Sequence, residues 1–264
     1  MMTSQPSTQI SRVKNLTELT GESLEKLFHG ELLAVQIAGF YEPRAAAALA
    51  QRVSLQSYDA EFNAREILKA GMSLFEVNGS DSQAEKYFGT ASSYRQFIRS
   101  LAYPFVSPLD MMIREFDEVW PGGAHIWNLG GRKAQAGLVR AAANGVSFRP
   151  HTDRCDWDAP QFKETSELLA QFAANVYLQC PEHGGELELW DWCPDRVDYE
   201  THRASINGQP DYSLNRDVLG PPQVVISPNT GDLIIFNAWK VHAVRQSLGR
   251  TRVAQSAFVG FRGE

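Results

Sequence analysis

Residues 151–153 read His-Thr-Asp, and residues 231–258 read GDLIIFNAWKVHAVRQSLGRTRVAQSAF. On an extended strand, residues i and i+2 project from the same face, so His151 and Asp153 are expected to point at one spot. His242 lies in the second stretch, and we expect it to reach the same spot from a neighbouring strand. Two histidines and one carboxylate arranged in this way form a metal face with open coordination positions, which is typical of non-haem iron(II).

The order of the motifs is more specific than the His-x-Asp triplet alone. After the triplet come Gly-Asp-Leu-Ile-Ile-Phe at 231–236, then His242, then Arg252 ten residues later and Ser256 four residues after that. This ordered set resembles the 2-oxoglutarate/iron(II)-dependent dioxygenases over roughly residues 123–262. The Gly-Arg-Lys sequence before the triplet and the His-Thr-Asp-Arg sequence resemble bacterial hydroxylases of free or N-acylated amino acids, and also the related carrier-independent halogenases.

The resemblance implies a catalytic metal centre, with Fe(II) as the metal, 2-oxoglutarate as the cosubstrate and O2 as the oxidant. It implies three metal ligands, which are His151, Asp153 and His242. Arg252 is expected to bind the distal carboxylate of 2-oxoglutarate, because a guanidinium is permanently charged and forms two-pronged pairs with carboxylates. Ser256 shares its strand face and is expected to donate a hydrogen bond to the same carboxylate, and Arg250 is the alternative cation.

Two further residues are candidates for contact with the cosubstrate. Asn175 and Tyr177 alternate with Val176 and Leu178 on a predicted strand. Alternation places Asn175 and Tyr177 on one face but does not say whether that face points toward the metal or outward. Both directions therefore stay open at this point.

The acidic ligand bears on the reaction. The resemblance implies oxidative decarboxylation of 2-oxoglutarate to succinate and CO2, coupled to attack on an unactivated C–H bond. In the halogenases Gly or Ala replaces the acidic ligand and frees a coordination position for chloride, whereas this sequence has Asp153. Hydroxylation is therefore predicted instead of chlorination, while desaturation, epoxidation and ring closure remain open because they depend on substrate placement.

Basic residues are concentrated next to the triplet. Five basic residues and one acid lie between Arg132 and Arg154, in a protein with a net charge of −6. Because Arg149 and Arg154 flank the triplet, we expect a small anionic substrate that bears a carboxylate. Trp157 and Trp239 are expected to form walls of its pocket. The competing expectation is that several of these cations face solvent and that the tryptophans, Trp190 above all, belong to the core.

From Ala124 onward the sequence alternates with period two. Nine candidate strands follow, at 124–129, 136–142, 146–151, 172–179, 185–192, 222–226, 232–236, 241–246 and 252–261. Short strands separated by Gly, Pro and Asn turns predict a mainly β fold, which we interpret as a double-stranded β-helix (jelly roll) with N-terminal flanking helices. We predict a single dioxygenase domain over 1–264, with a catalytic core at 123–264 and an insertion at about 193–221 that folds over the barrel mouth.

The first part of the chain, residues 1–122, is predicted to be a helical support region. Its expected elements are a frayed start over about 1–15, a helix at 17–29, a strand-like run at 32–40, a helix from Pro43, and two helices within 91–120. Residues 58–90 are expected to be irregular, and residues 71–76 within them to form part of a lid or substrate wall.

Composition limits the other functions. The chain has 264 residues, of which 43% are hydrophobic and 21% charged, and its net charge of −6 argues against a nucleic-acid partner. No apolar run approaches the ~20 residues of a membrane span, and the N-terminus lacks the apolar run of a signal peptide. Three cysteines without zinc-like spacing predict reduced thiols and a cytoplasmic protein. The expected partner is a small molecule, and a homodimer is left open.

Two alternative functions fit the same residues. A cupin-like binding protein would keep the fold without catalysis. A zinc enzyme would use the same triad, because two histidines and a carboxylate also bind zinc, but this leaves the downstream arginine without a task. The remaining candidate histidines, His125, His183 and His202, are expected to be structural or to lie on the surface.

Overall fold

The computed structural model describes residues 12–55 and 67–263, so the expectations for residues 1–11 and 58–66 lie outside it. The described residues form seven α-helices: α1 (Gly21–Phe28), α2 (Pro43–Leu55), α3 (Asp81–Ala102), α4 (Pro108–Val119), α5 (Cys155–Asp158), α6 (Lys163–Ser166) and α7 (Arg196–Thr201). They also form seventeen strands: β1 (Val13–Leu16), β2 (Ala34–Ile37), β3 (Ile67–Ala70), β4 (Asn128–Leu129), β5 (Arg132–Lys133), β6 (Leu138–Ala142), β7 (Phe148–His151), β8 (Ala170–Gln179), β9 (His183–Gly184), β10 (Leu187–Leu189), β11 (Arg203–Ile206), β12 (Gln209–Leu214), β13 (Val224–Ile226), β14 (Leu233–Asn237), β15 (His242–Val244), β16 (Ser247–Leu248) and β17 (Arg252–Phe261).

Two sheets and a set of helices form three layers. The larger sheet has the strand order β1-β2-β14-β8-β17-β6-β3, and the smaller has the order β13-β10-β15-β7. One apolar cluster joins α1, α2, α3 and α4 to the outer face of the larger sheet. A second cluster contains residues of both sheets and fills the space between them. The chain is therefore rich in β-sheet with N-terminal helices on one side.

The run Leu233-Ile-Ile-Phe236 explains why β14 lies at the centre of this arrangement. Leu233 and Ile235 pack toward the helices, whereas Ile234 and Phe236 pack between the sheets. Successive strand residues point to opposite faces, so a strand buried on both faces must be apolar throughout. β8 also packs on both sides, with Val176 on the helix side and Tyr177 between the sheets, but its inner face includes the polar Asn175.

The predicted strands from residue 124 onward lie close to their expected positions. β17 occupies the predicted range 252–261, and the strand predicted at 241–246 is shortened to β15. The description of residues 1–122 as helical is incomplete, because β1, β2 and β3 all join the larger sheet. β2 comes from the apolar run at 32–40 and pairs with β14.

The expectation that residues 58–90 are irregular is wrong where the structure describes them. β3 pairs with β6 at the sheet edge, and α3 begins at Asp81, ten residues before the predicted start. Ser80 accepts a hydrogen bond from the Gln83 amide and caps that helix. Its first turns carry few apolar residues, which is why periodicity alone placed the helix start too late.

None of the helices in the described part of the chain has the length and apolar character that a membrane span requires.

The turn before β14 is held by a buried carboxylate. Asp232 is 2% exposed. It accepts hydrogen bonds from the Gln36 side-chain amide at 2.7 Å, the Gly39 amide at 3.1 Å and the Asn229 amide at 2.9 Å. The carboxylate thereby fastens the end of β2 to the start of β14.

We expect the substitution Asp232→Ala to lower the free energy of unfolding by about 2–3 kcal/mol, because it leaves several buried donors without a partner. Urea denaturation measures this directly. The matched control is Asp217→Ala, an exposed aspartate whose loss should cost about 0.5 kcal/mol or less. Equal unfolding midpoints for the two variants would contradict the role assigned to Asp232.

Candidate metal centre

Two short strands bring the two histidines together. β7 and β15 pair antiparallel, with His242 directly opposite His151, and the ring centroids lie 4.3 Å apart. The spacing predicts that Asp153 lies on the same strand as His151, but β7 ends at His151 and Asp153 lies beyond it. Its amide donates instead to the Ala238 carbonyl at 2.9 Å, which places the carboxylate from the loop beyond the strand.

A bulge sets the direction of the side chains on β7. His242 and Val244 on β15 oppose His151 and Phe148 on β7, so two steps along one strand match three along the other. An extra residue reverses the alternation of side chains, and such bulges are common next to active sites. Phe148 therefore faces inward, where its ring lies 5.9 Å from the Arg252 guanidinium. Arg149 points outward, and its guanidinium pairs with Asp211 at 2.8 Å.

The three predicted ligands converge. His242 Nε2 lies 3.2 Å from one oxygen of Asp153, and His151 Nε2 lies 3.9 Å from the other. One donor atom from each residue lies within 4.8 Å of the others, and no other such group of His, Cys, Asp and Glu is found among the described residues. Ligands at about 2.1 Å from one ion sit about 3 Å apart, so only a small contraction separates this arrangement from a coordination sphere.

Backbone carbonyls fix both imidazole rings. His151 Nδ1 lies 2.6 Å from the Arg149 carbonyl oxygen, and His242 Nδ1 lies 2.9 Å from that of Lys240. Because a carbonyl oxygen only accepts, each Nδ1 carries the proton and donates it. Each Nε2 then presents a free lone pair toward Asp153, which is the tautomer that a metal ligand needs.

The charges of the triad also suit a metal. Burial and the neighbouring His242 lower the pKa of His151 to about 4, so the ring is neutral at pH 7. Burial opposes the charged form of Asp153, but the adjacent His242 and His151 and the positive charge of Arg140 favour it and hold the pKa of Asp153 well below its usual range. A neutral imidazole beside a carboxylate is the protonation state in which these residues bind a cation.

Next to the triad, the inner face of the larger sheet carries an arginine and a tyrosine with unsatisfied polar atoms. Arg252 is 7% exposed, and its guanidinium lies 5.0 Å from the ring of Tyr177. Arg252 Nε and the Tyr177 hydroxyl are both buried, and neither has a hydrogen-bond partner among the described residues. Buried polar groups are almost always satisfied, so this pair fits an anionic oxygen ligand such as the carboxylate of 2-oxoglutarate.

The other predicted cosubstrate contacts share that inner face. Ser256 on β17 lies opposite Asn175 on β8, and both side chains are partly accessible. Tyr177 packs between the sheets, so Asn175, two residues before it, points inward as well. The alternative cation, Arg250, is exposed, and its Nε donates to the Cys180 carbonyl at 2.8 Å.

Arg154 and two tryptophans form a stack beside the triad. The Arg154 guanidinium lies 4.2 Å from the Trp239 ring and 4.8 Å from the Trp157 ring. It also makes a two-pronged ion pair with Asp156, at 2.9 and 2.8 Å. Trp239 Nε1 is buried without a hydrogen-bond partner, so this wall carries one donor that no described residue uses.

The predicted lid at residues 71–76 packs on the same side. Met72 and Trp239 both pack against an apolar cluster that includes Leu74 and Cys155. Trp190, in contrast, is a core residue, since it is 2% exposed and its Nε1 donates to the Gly220 carbonyl at 3.1 Å.

The insertion covers the metal centre. β11 and β12 form a hairpin, and the ring of Tyr212 on this hairpin lies 5.6 Å from that of His151. The Tyr199 hydroxyl of α7 donates to the Tyr212 carbonyl at 2.5 Å, and the Tyr199 ring lies 5.5 Å from that of Trp157. Of the other candidate histidines, His125 and His183 are exposed, and His202 lies 5.9 Å from Trp192 within the insertion.

Sequence reasoning missed two charged residues near the triad. Burial, with the nearby charges of Asp153 and Asp156, raises the pKa of Asp158 to about 8. No pattern in the sequence distinguishes Asp158 from a surface carboxylate. Arg140 was noted only as one of several basic residues, although strand alternation on β6 places it on the inner face, opposite Ala254 of β17.

We expect His242→Ala and Asp153→Ala each to weaken divalent metal binding at least about 100-fold, since each removes one of three ligands. Anaerobic titration with Fe(II) or Mn(II) measures the affinity. The matched control is His183→Ala, an exposed histidine that should bind metal like the wild type. Unchanged affinity in His242→Ala would show that the ion binds elsewhere.

The raised pKa of Asp158 predicts a pH-dependent stability of the metal-free protein. Between pH 4 and 8 the unfolded chain ionises Asp158 while the folded chain keeps it protonated, so this residue lowers stability as the pH rises. Asp158→Asn should therefore match the wild type near pH 4 and exceed it at pH 8 by about 1 kcal/mol, or roughly 2–4 °C in melting temperature. Thermal unfolding in chelator at both pH values tests this, with Asp217→Asn as the exposed control, and a pH-independent difference would refute it.

Comparison with known proteins places the chain in a family. A sequence model described as the carrier-protein-independent halogenase WelO5 matches residues 12–264. The chain is 24% identical over 247 residues to an L-gamma-glutamyl-L-propargylglycine hydroxylase from Streptantibioticus cattleyicolor, covering 91% of this chain and 89% of that protein. It is 30% identical over 122 residues to an L-isoleucine 3(1)-dioxygenase from Pantoea ananatis, covering 44% of this chain and 40% of that protein.

Solved structures share the fold. The crystal structure of an N-substituted L-amino acid dioxygenase from Burkholderia ambifaria matches with a TM-score of 0.58 at 15% identity, covering 91% of this chain and 87% of that chain. A structure of such an enzyme from the same organism in complex with alpha-ketoglutarate gives a TM-score of 0.55 at 14% identity, covering 90% of this chain and 86% of that chain. Since the family match spans nearly all of the described residues, the chain belongs to the WelO5 family, and it is a 2-oxoglutarate-dependent dioxygenase that uses iron(II) and O2.

Proposed function

We propose that this enzyme hydroxylates an unactivated C–H bond of a small anionic metabolite, a free or N-acylated amino acid, and releases succinate and CO2. The observation that carries the proposal is the complete triad, with Asp153 as the acidic member and unpartnered Arg252 and Tyr177 beside it. The names of the relatives support it, since they include two hydroxylases or dioxygenases of amino-acid compounds. For the fold we propose the double-stranded β-helix that such enzymes share.

In this proposal His151, Asp153 and His242 hold iron(II), which with 2-oxoglutarate and O2 supplies the oxidising power for the C–H bond. The protein contributes by fixing the ligands before the metal arrives. The Arg149 and Lys240 carbonyls orient the imidazoles, and the Ala238 carbonyl anchors the loop of Asp153. Little reorganisation is then needed when the ion binds, because the rings already hold the required tautomers.

We propose that Arg252 binds the distal carboxylate of 2-oxoglutarate and that the Tyr177 hydroxyl donates to the same ligand. Both groups lack partners among the described residues, so this carboxylate would satisfy them together. Ser256 and Asn175, which are cross-strand neighbours further along the inner face, are proposed to contact the rest of the molecule.

Asp153 decides between hydroxylation and chlorination. Its carboxylate lies where the halogenases of this family, by resemblance, leave a position for chloride. With that position taken by a protein oxygen, chloride has no place beside the metal. We therefore propose hydroxylation even though the family carries a halogenase name.

The substrate is proposed to lie under the insertion, between the hairpin of Tyr212 and the wall of Trp157 and Trp239. These aromatic side chains suit the apolar part of an amino acid. Arg154 remains a predicted substrate contact, although Asp156 already matches its charge, whereas Arg149 points outward and pairs with Asp211. The requirement for iron(II) and 2-oxoglutarate leaves the cupin-like and zinc alternatives without support.

The proposal is tested with anaerobically iron-loaded protein that receives O2, 2-oxoglutarate and a panel of free and N-acyl amino acids. We expect one class to stimulate succinate formation above the uncoupled background. In chloride buffer, mass spectrometry of the product should show one added oxygen and no chlorine. Background turnover without stimulation by any member would remove the amino-acid assignment, and a chlorinated product would refute the role of Asp153.

The role of Arg252 is tested in the same assay. Arg252→Met should raise the concentration of 2-oxoglutarate needed for half-maximal succinate formation about tenfold or more, because it removes a charge-assisted pair. Arg114→Met, which changes an arginine with an 81% exposed side chain on α4, should leave that concentration unchanged. If Arg250→Met shows the larger effect, the exposed arginine is the anchor and our assignment of Arg252 is wrong.

A further inference from the structure

The basic residues near the triad differ in whether their charge is matched. Three of them form ion pairs, namely Arg132 with Glu85, Arg149 with Asp211 and Arg154 with Asp156, and Lys133 is exposed on β5. Arg140 is the exception. Its guanidinium forms no ion pair and no hydrogen bond with any described residue.

Arg140 lies on the inner face of the larger sheet, on the strand next to the edge strand β3. On β6 it sits opposite Ala254 of β17, and Ala254 in turn sits opposite Tyr177 of β8. Two residues further along β6, Ala142 lies opposite Arg252. Arg140 and Arg252 are therefore diagonal neighbours on one sheet face, a spacing that long side chains bridge. The two alanines between them leave room above the sheet.

The surroundings of Arg140 favour an anion. Burial lowers its pKa, the carboxylate of Asp153 acts in the opposite direction, and the positive charge of Arg252 lowers it further. Glu76 is the other carboxylate that acts on it, but Glu76 is already paired with Lys69 and accepts from Ser73. Arg140 is nevertheless only partly buried by accessible surface. Part of its side chain is therefore accessible to a ligand.

The charges of the proposed complex with iron(II) and 2-oxoglutarate balance without Arg140. Iron(II) brings two positive charges and Arg252 one, while Asp153 brings one negative charge and 2-oxoglutarate two. These charges cancel. The positive charge of Arg140 is then the uncompensated one in this space, and one further carboxylate neutralises it.

Building on the proposed function, we propose that Arg140 binds the α-carboxylate of the substrate. The substrate then must carry a free carboxyl group next to the attacked chain. An N-acyl group is compatible with this, whereas esters, amides and carrier-bound thioesters lack the charge that Arg140 requires. Arg140 is thus the residue that selects free acids, whereas the charges of Arg149 and Arg154 are already matched by Asp211 and Asp156.

The first test is the stability of the metal-free full-length protein. A buried cation without a partner costs free energy unless a ligand compensates it, so Arg140→Met should raise the melting temperature by about 2–4 °C. Arg114→Met, on the solvent face of α4, should leave it unchanged. A fall in the melting temperature of Arg140→Met would show that Arg140 is a structural residue and would overturn the proposal.

The second test measures ligand binding by calorimetry without oxygen, on protein loaded with Mn(II) and 2-oxoglutarate. The probes are L-isoleucine, N-acetyl-L-isoleucine and N-acetyl-L-isoleucinamide. Wild type and Arg114→Met should bind an acid at least about tenfold more tightly than the amide, and Arg140→Met should lose this preference while Arg140→Lys keeps part of it. The proposal is overturned if the wild type binds acid and amide with equal affinity or binds neither. It is also overturned if Arg140→Met still binds the acid more tightly than the amide.

Uncoupled turnover separates this proposal from the function on which it rests. Wild type and Arg114→Met should form succinate from 2-oxoglutarate without substrate at similar rates. The acid that binds in the calorimetry should stimulate both, and it should stimulate Arg140→Met at least about tenfold less at the same concentration. The 2-oxoglutarate concentration for half-maximal succinate formation is measured for Arg140→Met in parallel. A tenfold higher requirement for 2-oxoglutarate would assign Arg140 to the cosubstrate and overturn the inference. Absence of succinate in the wild type as well would instead refute the proposed function.

Discussion

The metal centre depends on the pairing of two short strands, β7 and β15. Their register sets His151 opposite His242, and the bulge in β7 turns both Phe148 and His151 inward. The same backbone supplies the carbonyl groups that hold the two imidazole rings. The two histidines therefore act as ligands only because the backbone of these strands places and orients their rings. A one-residue slip between these strands would move His242 away from its position opposite His151 and separate the two metal ligands.

A second constraint is electrostatic. The space between the sheets holds Arg140 and Arg252, neither of which is paired with a described residue, together with the carboxylate of Asp153. In the metal-free protein these charges are costly to bury, and apolar packing around them must offset that cost. β14, which is apolar on both faces, and the apolar residues of β8 provide much of this packing at the centre of the larger sheet. The stability of the scaffold thus permits a site that is electrostatically incomplete until its ligands bind.

The sequence predicted the elements with strong local signals. Period-two alternation located β17 and most strands after residue 124, and the spacing of His151, Asp153 and His242 predicted residues that the structure brings together. The prediction was weaker where a partner decides the outcome. β1 and β3 are sheet edges whose own sequences are mixed, and only pairing with β2 and β6 makes them strands. Arg149 was predicted to face the substrate, but the bulge that turns it away depends on pairing with β15, which no local pattern encodes.

The position of Asp153 explains how one scaffold can serve two chemistries. Its amide donates to the Ala238 carbonyl, so a backbone hydrogen bond anchors the loop after β7 at this residue. The side chain adds the ligand without building the loop. A Gly or Ala in its place, as in the halogenases that this sequence resembles, can therefore keep the two histidines and the loop while opening a position at the metal. Because the histidines are set by the strand register and the carboxylate by a single side chain, the number of protein ligands can change without a change of fold. The net charge of the site would also be preserved. A chloride ion would replace the negative charge that Asp153 supplies, so the positive charges of Arg140 and Arg252 would face the same total negative charge.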